Sequence, residues 1–184
     1  GETKLDLVKE AVLEAVDTLN EFYRVGLIAF DGEFQWEVPI TEAGEKEQIN
    51  KNVSAITTGG GTVLYPALEE AGRALMETDS AVQHIIVLSD GLTEETDFRP
   101  LIARFTEEKI TLSTVTVGSD SDYEQMKSMA EWGNGRSYFA SDIRNVPNIF
   151  ATETLIASRG LVVDEPFFPI VEGDNEILGG IPGN

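Results

Sequence analysis

The sequence of 184 residues contains no cysteine and a single histidine, His84. The lack of cysteine excludes disulfides, thiolate metal sites and cysteine nucleophiles, and one histidine cannot form a multi-histidine zinc site. No apolar run reaches transmembrane length, and the first residues are not typical of a signal peptide. The composition, with 41% hydrophobic and 25% charged residues, is that of a globular chain large enough for one sizeable core.

Basic residues are also scarce, because 13 Lys and Arg stand against 33 Asp and Glu, for a net charge of −20. A surface this acidic repels phosphate backbones and anionic lipid headgroups. We therefore expect no nucleic-acid partner. Cations or a basic protein surface are the expected partners instead.

Helical and strand patterns alternate along the chain. Apolar spacing after Thr3 predicts a first helix, and residues 24–30 and 34–40 predict a hairpin whose second strand, which contains Pro39, lies at a sheet edge. Further strands are predicted at 83–88, 110–117 and 135–140, and further helices at 45–56, 64–77, 98–108, 123–132 and 145–158. This order predicts a doubly wound, Rossmann-like α/β fold with a mainly parallel sheet and one antiparallel edge strand.

Two segments carry side-chain oxygens that could bind a metal, one at the start of a predicted helix and one at the end of a predicted strand. Both are expected at the carboxyl edge of the sheet, where open α/β folds bind ligands. One is the Gly-rich loop that ends in Thr62, and the other is the Asp-Gly turn at Asp90. A hydroxyl and a carboxylate suit a hard cation such as Mg²⁺. Each also has an ordinary interpretation, because Thr62 can cap a helix and Asp-Gly is a common turn. His84 opens a buried strand without an evident catalytic partner and is expected to be a strand-end side chain.

The stretches RVGLIAF, GGGT, YPAL, IIVLSDG and STVTVG, in this order, resemble a von Willebrand factor type A domain over about residues 1–158. The resemblance implies a metal-ion-dependent adhesion site. In that family a Thr matching Thr62 and an Asp matching Asp90 join an Asp-x-Ser-x-Ser loop around Mg²⁺ (or Mn²⁺), and a carboxylate from a partner protein completes the metal's shell.

The sequence departs from the family pattern because it lacks the Asp-x-Ser-x-Ser motif and the usual first central strand before it. We therefore expect an incomplete site in this chain, with metal bound weakly or not at all. The missing strand lies, in the family, between the strands at 24–30 and 83–89. The gap is expected to be closed by direct pairing of those strands, by a strand at 161–171, or by strand exchange in a homo-oligomer.

Residues 1–158 are predicted to form the domain and residues 159–184 a C-terminal extension or linker. The predicted function is protein–protein recognition and not catalysis. The alternatives are a structural domain without metal, or a Mg²⁺-assisted phosphohydrolase, which needs a nucleophile and an acid–base group near the metal. The chain is most similar to domains of bacterial proteins with a glutamine amidotransferase-like region, which implies a membrane-anchored parent protein but not the compartment.

Overall fold

A computed structural model describes residues 3–57, 63–90, 95–118 and 123–159. Helices and strands alternate through these ranges, which confirms the predicted α/β fold, and their ends lie close to the predicted ones. The elements are α1 (Lys4–Asp17), β1 (Arg24–Phe30), β2 (Phe34–Glu42), α2 (Lys46–Ser54), α3 (Tyr65–Met76), β3 (Gln83–Ser89), α4 (Arg99–Glu107), β4 (Ile110–Val117), α5 (Tyr123–Trp132), β5 (Asn134–Ala140) and α6 (Val146–Ser158).

Helix α1 begins where the sequence predicts because Thr3 caps it. The backbone N–H of Asp6 donates to Thr3 Oγ1 at 3.1 Å, and the backbone N–H of Thr3 donates to Asp6 Oδ2 at 3.0 Å. This reciprocal pair satisfies two N–H groups that the first turn of a helix leaves free. Helices α3, α4 and α6 each carry a proline in the first turn, where its missing N–H costs nothing.

The strands form two sheets. β1 and β2 pair as the predicted antiparallel hairpin, whereas β3, β4 and β5 form a parallel sheet in that order. No ladder joins β1 to β3 among the described residues. Direct pairing of these strands, one of the three closures expected from the sequence, is therefore wrong for this structure. Residues 161–171 lie outside the described ranges, and strand exchange stays a prediction.

Helices α1 and α3 bridge the two sheets. Ala11 of α1 packs with Val115 of β4, whereas Val16, one and a half turns along the helix, packs with Val38 of β2. The cluster built on α3 likewise takes in residues of β1, β3 and β4. The hairpin is therefore held against the parallel sheet by helix side chains and not by a continuous ladder.

The helices of the described ranges do not include a membrane span, because none is both long enough and apolar enough to cross a bilayer. The predicted division at residue 158 falls at the end of α6. The character of residues 160–184, which lie outside the described ranges, stays a prediction.

Candidate metal site

Asp90, the predicted carboxylate ligand, directly follows the last residue of β3. The preceding run of apolar residues keeps this strand inside the sheet, and Ser89 at its end is only 3% exposed. The side chain of Asp90 is 34% exposed. The structure thus places this carboxylate at the carboxyl edge of a parallel sheet, where α/β folds bind ligands.

The carboxylate of Asp90 already binds a cation in this structure. Lys4 Nζ lies 2.8 Å from Asp90 Oδ2, although the two residues are 86 positions apart in the sequence. Lys4 is the first residue of α1, so the start of that helix lies beside the ligand edge of the sheet. Sequence reasoning missed this contact, because no local pattern links a helix start to a distant strand end.

Thr62, the predicted hydroxyl ligand, lies outside the described residues. The chain just after each predicted ligand nevertheless converges, because the rings of Tyr65 and Phe98 lie 5.7 Å apart between centroids. Tyr65 opens α3 soon after Thr62, and Phe98 precedes α4 in the segment that follows Asp90. The proximity of Thr62 to Asp90 stays a prediction.

The donor chemistry at this edge fits a hard divalent cation in part. Asp90 offers a carboxylate oxygen, the kind of ligand that Mg²⁺ prefers. The Lys4 ammonium, which contacts this oxygen, shows that the carboxylate can hold a positive charge. Within the described ranges, however, no group of three or more His, Cys, Asp or Glu side chains could hold a metal ion. The described residues therefore do not form a complete metal site around Asp90, and its role as a ligand stays a prediction.

A second polar group with unused bonding capacity lies at the same end of the sheet. Thr116 stands opposite Ser89 in the β3–β4 register and is 1% exposed. Its Oγ1 has no hydrogen-bond partner in the described structure, whereas the Oγ1 of Thr114 donates to the backbone carbonyl of Met126 at 2.9 Å. A buried hydroxyl without a partner costs about 1–3 kcal/mol, so Thr116 is a point of instability beside the candidate ligand edge.

The parallel sheet carries a further polar cluster towards its opposite, amino end, and we call it the Glu153 cluster. The carboxylate of Glu153 on α6 is fully buried. It accepts hydrogen bonds from four side chains: His84 Nε2 (2.8 Å), Ser113 Oγ (2.6 Å), Arg136 Nε and Nη2 (2.7 and 3.1 Å) and Tyr138 Oη (2.7 Å). Because these donors lie on β3, β4 and β5, one carboxylate attaches α6 to every strand of the parallel sheet.

The environment keeps Glu153 ionised. Burial raises the pKa of Glu153, but the hydrogen bonds from His84 and Arg136 outweigh burial and lower its pKa to about 2. For Tyr138, burial and then the negative charge of Glu153 raise the pKa of the phenol above its usual value. Glu153 therefore acts at neutral pH as a charged acceptor whose bonding positions are filled by the surrounding donors.

His84 lies at the start of β3, where the sequence placed it, but its bonding partners were not predicted. Its Nε2 bonds Glu153, and its Nδ1 lies 2.6 Å from Thr111 Oγ1. One signal in the sequence could have indicated the pair, because Glu153 is the single charged residue of α6. A carboxylate on an otherwise apolar helix face requires a buried donor or cation.

Comparison with known proteins adds to this geometry. The family model for the von Willebrand factor type A domain matches residues 1–152. No curated protein matches the chain. Solved structures do match it, which allows the fold to be compared directly.

Three of these structures are informative. The conserved hypothetical protein BatB from Bacteroides thetaiotaomicron has a TM-score of 0.71 at 18% identity, over 84% of this chain and 88% of that one. A von Willebrand factor type A protein from Catenulispora acidiphila has a TM-score of 0.73 at 22% identity, over 83% and 38%. Proximal thread matrix protein 1 from the mussel byssus, solved with a zinc-occupied metal-ion-dependent adhesion site motif, has a TM-score of 0.66 at 15% identity, over 83% and 43%.

At these identities the structures share the fold, and the chain spans less than half the length of the second and third. The zinc-occupied motif of the mussel protein is an example of a divalent metal in a domain of this fold. The family model, in contrast, covers most of the chain. The chain belongs to the von Willebrand factor type A domain family.

Proposed function

We propose that this domain recognises a partner protein through a divalent cation held at the carboxyl end of β3. Asp90 and Thr62 supply oxygen ligands, and a carboxylate of the partner completes the coordination shell. The observation that carries the proposal is the Asp90 carboxylate, which stands at the ligand edge of the sheet and binds the ammonium of Lys4 at 2.8 Å. A carboxylate that attracts one cation at this edge is suited to another.

The choice of metal follows from the ligands. Hydroxyl and carboxylate oxygens favour Mg²⁺ or Mn²⁺, whereas zinc sites in proteins are rich in nitrogen and sulfur. The zinc in the mussel protein supports a divalent ion at such a motif without fixing which ion this chain takes. We therefore propose Mg²⁺ or Mn²⁺ as the ion.

The remaining ligands are proposed to come from a strand that fills the gap between β1 and β3. Support comes from the two unjoined sheets and from the Lys4–Asp90 contact, which brings the start of α1 to the end of β3. A strand in the gap that runs parallel to β3 would end at this same edge. Without it we expect weak metal binding, and strand exchange between two copies is one way to supply it.

The partner surface is proposed to be basic around the carboxylate that meets the metal. The support is the net charge of −20, which attracts basic protein surfaces and repels nucleic acid. Such long-range attraction raises association rates, and metal coordination by a single carboxylate supplies the specificity.

Catalysis is not part of the proposal. A metal-assisted phosphohydrolase requires an acid–base group beside the metal. His84, the single histidine of the chain, bonds Glu153 near the opposite end of β3. At about 3.3 Å per residue of strand, it lies roughly 20 Å from Asp90.

A structural domain that never binds metal is the second candidate function. It is favoured by the lack of any metal-binding group of three or more acidic, His or Cys side chains in the described part of the chain. The two candidates differ in a direct measurement. Binding of Mn²⁺ followed by electron paramagnetic resonance up to millimolar concentrations should detect a weak site in the first case and none in the second.

Substitutions identify the site in the same titration. We expect Asp90→Asn and Thr62→Val each to weaken Mn²⁺ binding at least tenfold. Asp17→Asn, an equal change of charge on an exposed residue at the far end of α1, should leave the affinity unchanged. Equal affinities for the wild-type chain and the Asp90 variant would refute the proposed function. Basic peptides with a single carboxylate, selected for binding in Mg²⁺, should then lose affinity in EDTA.

A further inference from the structure

The position of Lys4 is not explained by the helix it begins. The amino end of a helix carries partial positive charge, so a lysine there is unfavourable while acidic residues are favoured. The favourable acid of this turn is Asp6, whose pKa is lowered by the backbone and side-chain hydrogen bonds of Thr3. The Lys4 ammonium instead contacts Asp90, which belongs to a different part of the fold.

We propose that Lys4 is a tethered cation that occupies Asp90 in the metal-free domain and is displaced when a divalent ion binds there. This inference rests on the proposed function, since it concerns the same carboxylate. A hydrogen-bonded ammonium and a divalent ion on one carboxylate lie only a few ångströms apart and repel each other. Metal binding and the Lys4–Asp90 bond therefore weaken each other.

Displacement of Lys4 is easy by geometry. The Lys4 side chain is 62% exposed, and its flexible four-carbon stem can turn into solvent without a change in the backbone. The reciprocal Thr3–Asp6 bonds hold the start of α1 independently of Lys4. Lys4 thus neutralises Asp90 in the metal-free domain. The metal must compete with the ammonium, which lowers the apparent affinity of the site for the metal.

The expected reduction in metal affinity is small because the Lys4–Asp90 pair is exposed to solvent. Ion pairs of this exposure have small coupling energies, which correspond to about a two- to fivefold change in an equilibrium constant. We expect Lys4→Gln to bind Mn²⁺ about two- to fivefold more tightly than the wild-type chain. Lys4→Arg retains the cation and should restore the wild-type affinity to within twofold.

The matched control is Lys9→Gln. Lys9 lies on the same helix and the substitution removes the same charge, but its ammonium bonds the backbone carbonyl of Ser54 at 3.0 Å. If Lys4→Gln and Lys9→Gln change Mn²⁺ affinity equally, the effect is general electrostatics and the inference is overturned. If both leave the affinity unchanged while Asp90→Asn abolishes binding, the inference fails and the proposed function stands.

A second measurement observes the lysine itself. In NMR spectra of the side-chain ammonium and the adjoining Cε, Mg²⁺ and Asp90→Asn should shift the Lys4 signals in the same direction, because each frees the ammonium. The Lys9 signals should stay unchanged. If Mg²⁺ binding requires Asp90 but does not shift the Lys4 signals, the inference is overturned. If neither the wild-type chain nor any variant shows metal binding that depends on Asp90, both proposals are overturned.

Discussion

Replacement of Glu153 by alanine removes one acceptor shared by four side chains, and we expect it to lower the free energy of unfolding by about 3–5 kcal/mol. The variant leaves Arg136, Tyr138, Ser113 and His84 without the carboxylate that each now bonds at 3.1 Å or less. Removal of one partner from a buried ion pair is costly because the remaining charge is still desolvated. Arg136, whose side chain is 41% exposed, can recover some hydration and so limits the loss.

Glu153→Gln separates charge from shape. The amide oxygen can still accept from Arg136 and Tyr138, and the amide NH₂ can donate to His84 Nε2 if the histidine changes tautomer. The NH₂ group nevertheless faces one nitrogen of Arg136, which cannot accept a hydrogen bond. We therefore expect an intermediate loss of about 1–3 kcal/mol.

Urea unfolding at pH 7, followed by circular dichroism, measures both losses. The control is Glu131→Ala on an exposed position of α5, which should change stability by less than about 0.5 kcal/mol. In thermal melts the melting temperature of the alanine variant should fall by about 2–4 °C for each kcal/mol of stability lost. An alanine variant within about 1 kcal/mol of the wild type would refute the claim that this cluster attaches α6 to the sheet.

The same residue predicts a dependence on pH. The folded-state pKa of Glu153 is lowered to about 2 from an ordinary value of 4.5, so its stabilising effect is complete above pH 4.5 and is lost as the pH falls towards 2. The stability difference between the wild type and Glu153→Gln should therefore shrink from about 1–3 kcal/mol at neutral pH towards zero as the pH falls to 2. Because other carboxyl groups titrate equally in both proteins, the difference isolates Glu153. A difference that persists unchanged to pH 2.5 would contradict the lowered pKa.

Two pairs of substitutions test the packing of the sheet and helices. A methyl group on Gly72 of α3 would overlap the ring of Phe105, so Gly72→Ala should cost about 1–3 kcal/mol in urea unfolding, whereas Gly32→Ala, with nothing within 4 Å, should be neutral. Thr116→Val should raise the melting temperature, with a gain of about 1 kcal/mol, because it removes a buried hydroxyl without a partner. Thr114→Val should instead lose about 1 kcal/mol, since it breaks a hydrogen bond to the backbone of α5. Stability changes of the same sign for the two threonines would show that their hydroxyls do not differ in hydrogen bonding.

Local patterns in the sequence are sufficient for most of the fold. Thr3 caps α1 as predicted, Pro39 lies in the outer strand of the hairpin, and Asp90 stands at the end of an apolar strand. Each of these features depends on neighbours within a few residues. The family resemblance then orders the elements in space.

Contacts between distant segments could not be predicted in the same way. Lys4 and Asp90 are 86 positions apart, and His84 and Glu153 are 69 apart. Periodicity indicates which face of an element is buried, but not which polar side chain on another element it meets. The sequence therefore predicted the place of Asp90 at the end of β3 but not the Lys4 ammonium that bonds it, and the metal-ligand role of Asp90 stays a prediction.

The two separate sheets also have a consequence for local opening of the domain. Since α1 and α3 join the hairpin to the parallel sheet through side chains alone in the described structure, the two parts can unfold as separate cooperative units. Amide hydrogen exchange should then show weaker protection in β1 than in β4, whose two neighbours both bond its backbone. Insertion of a strand between β1 and β3 would join the two units, and exchange in both strands would slow together.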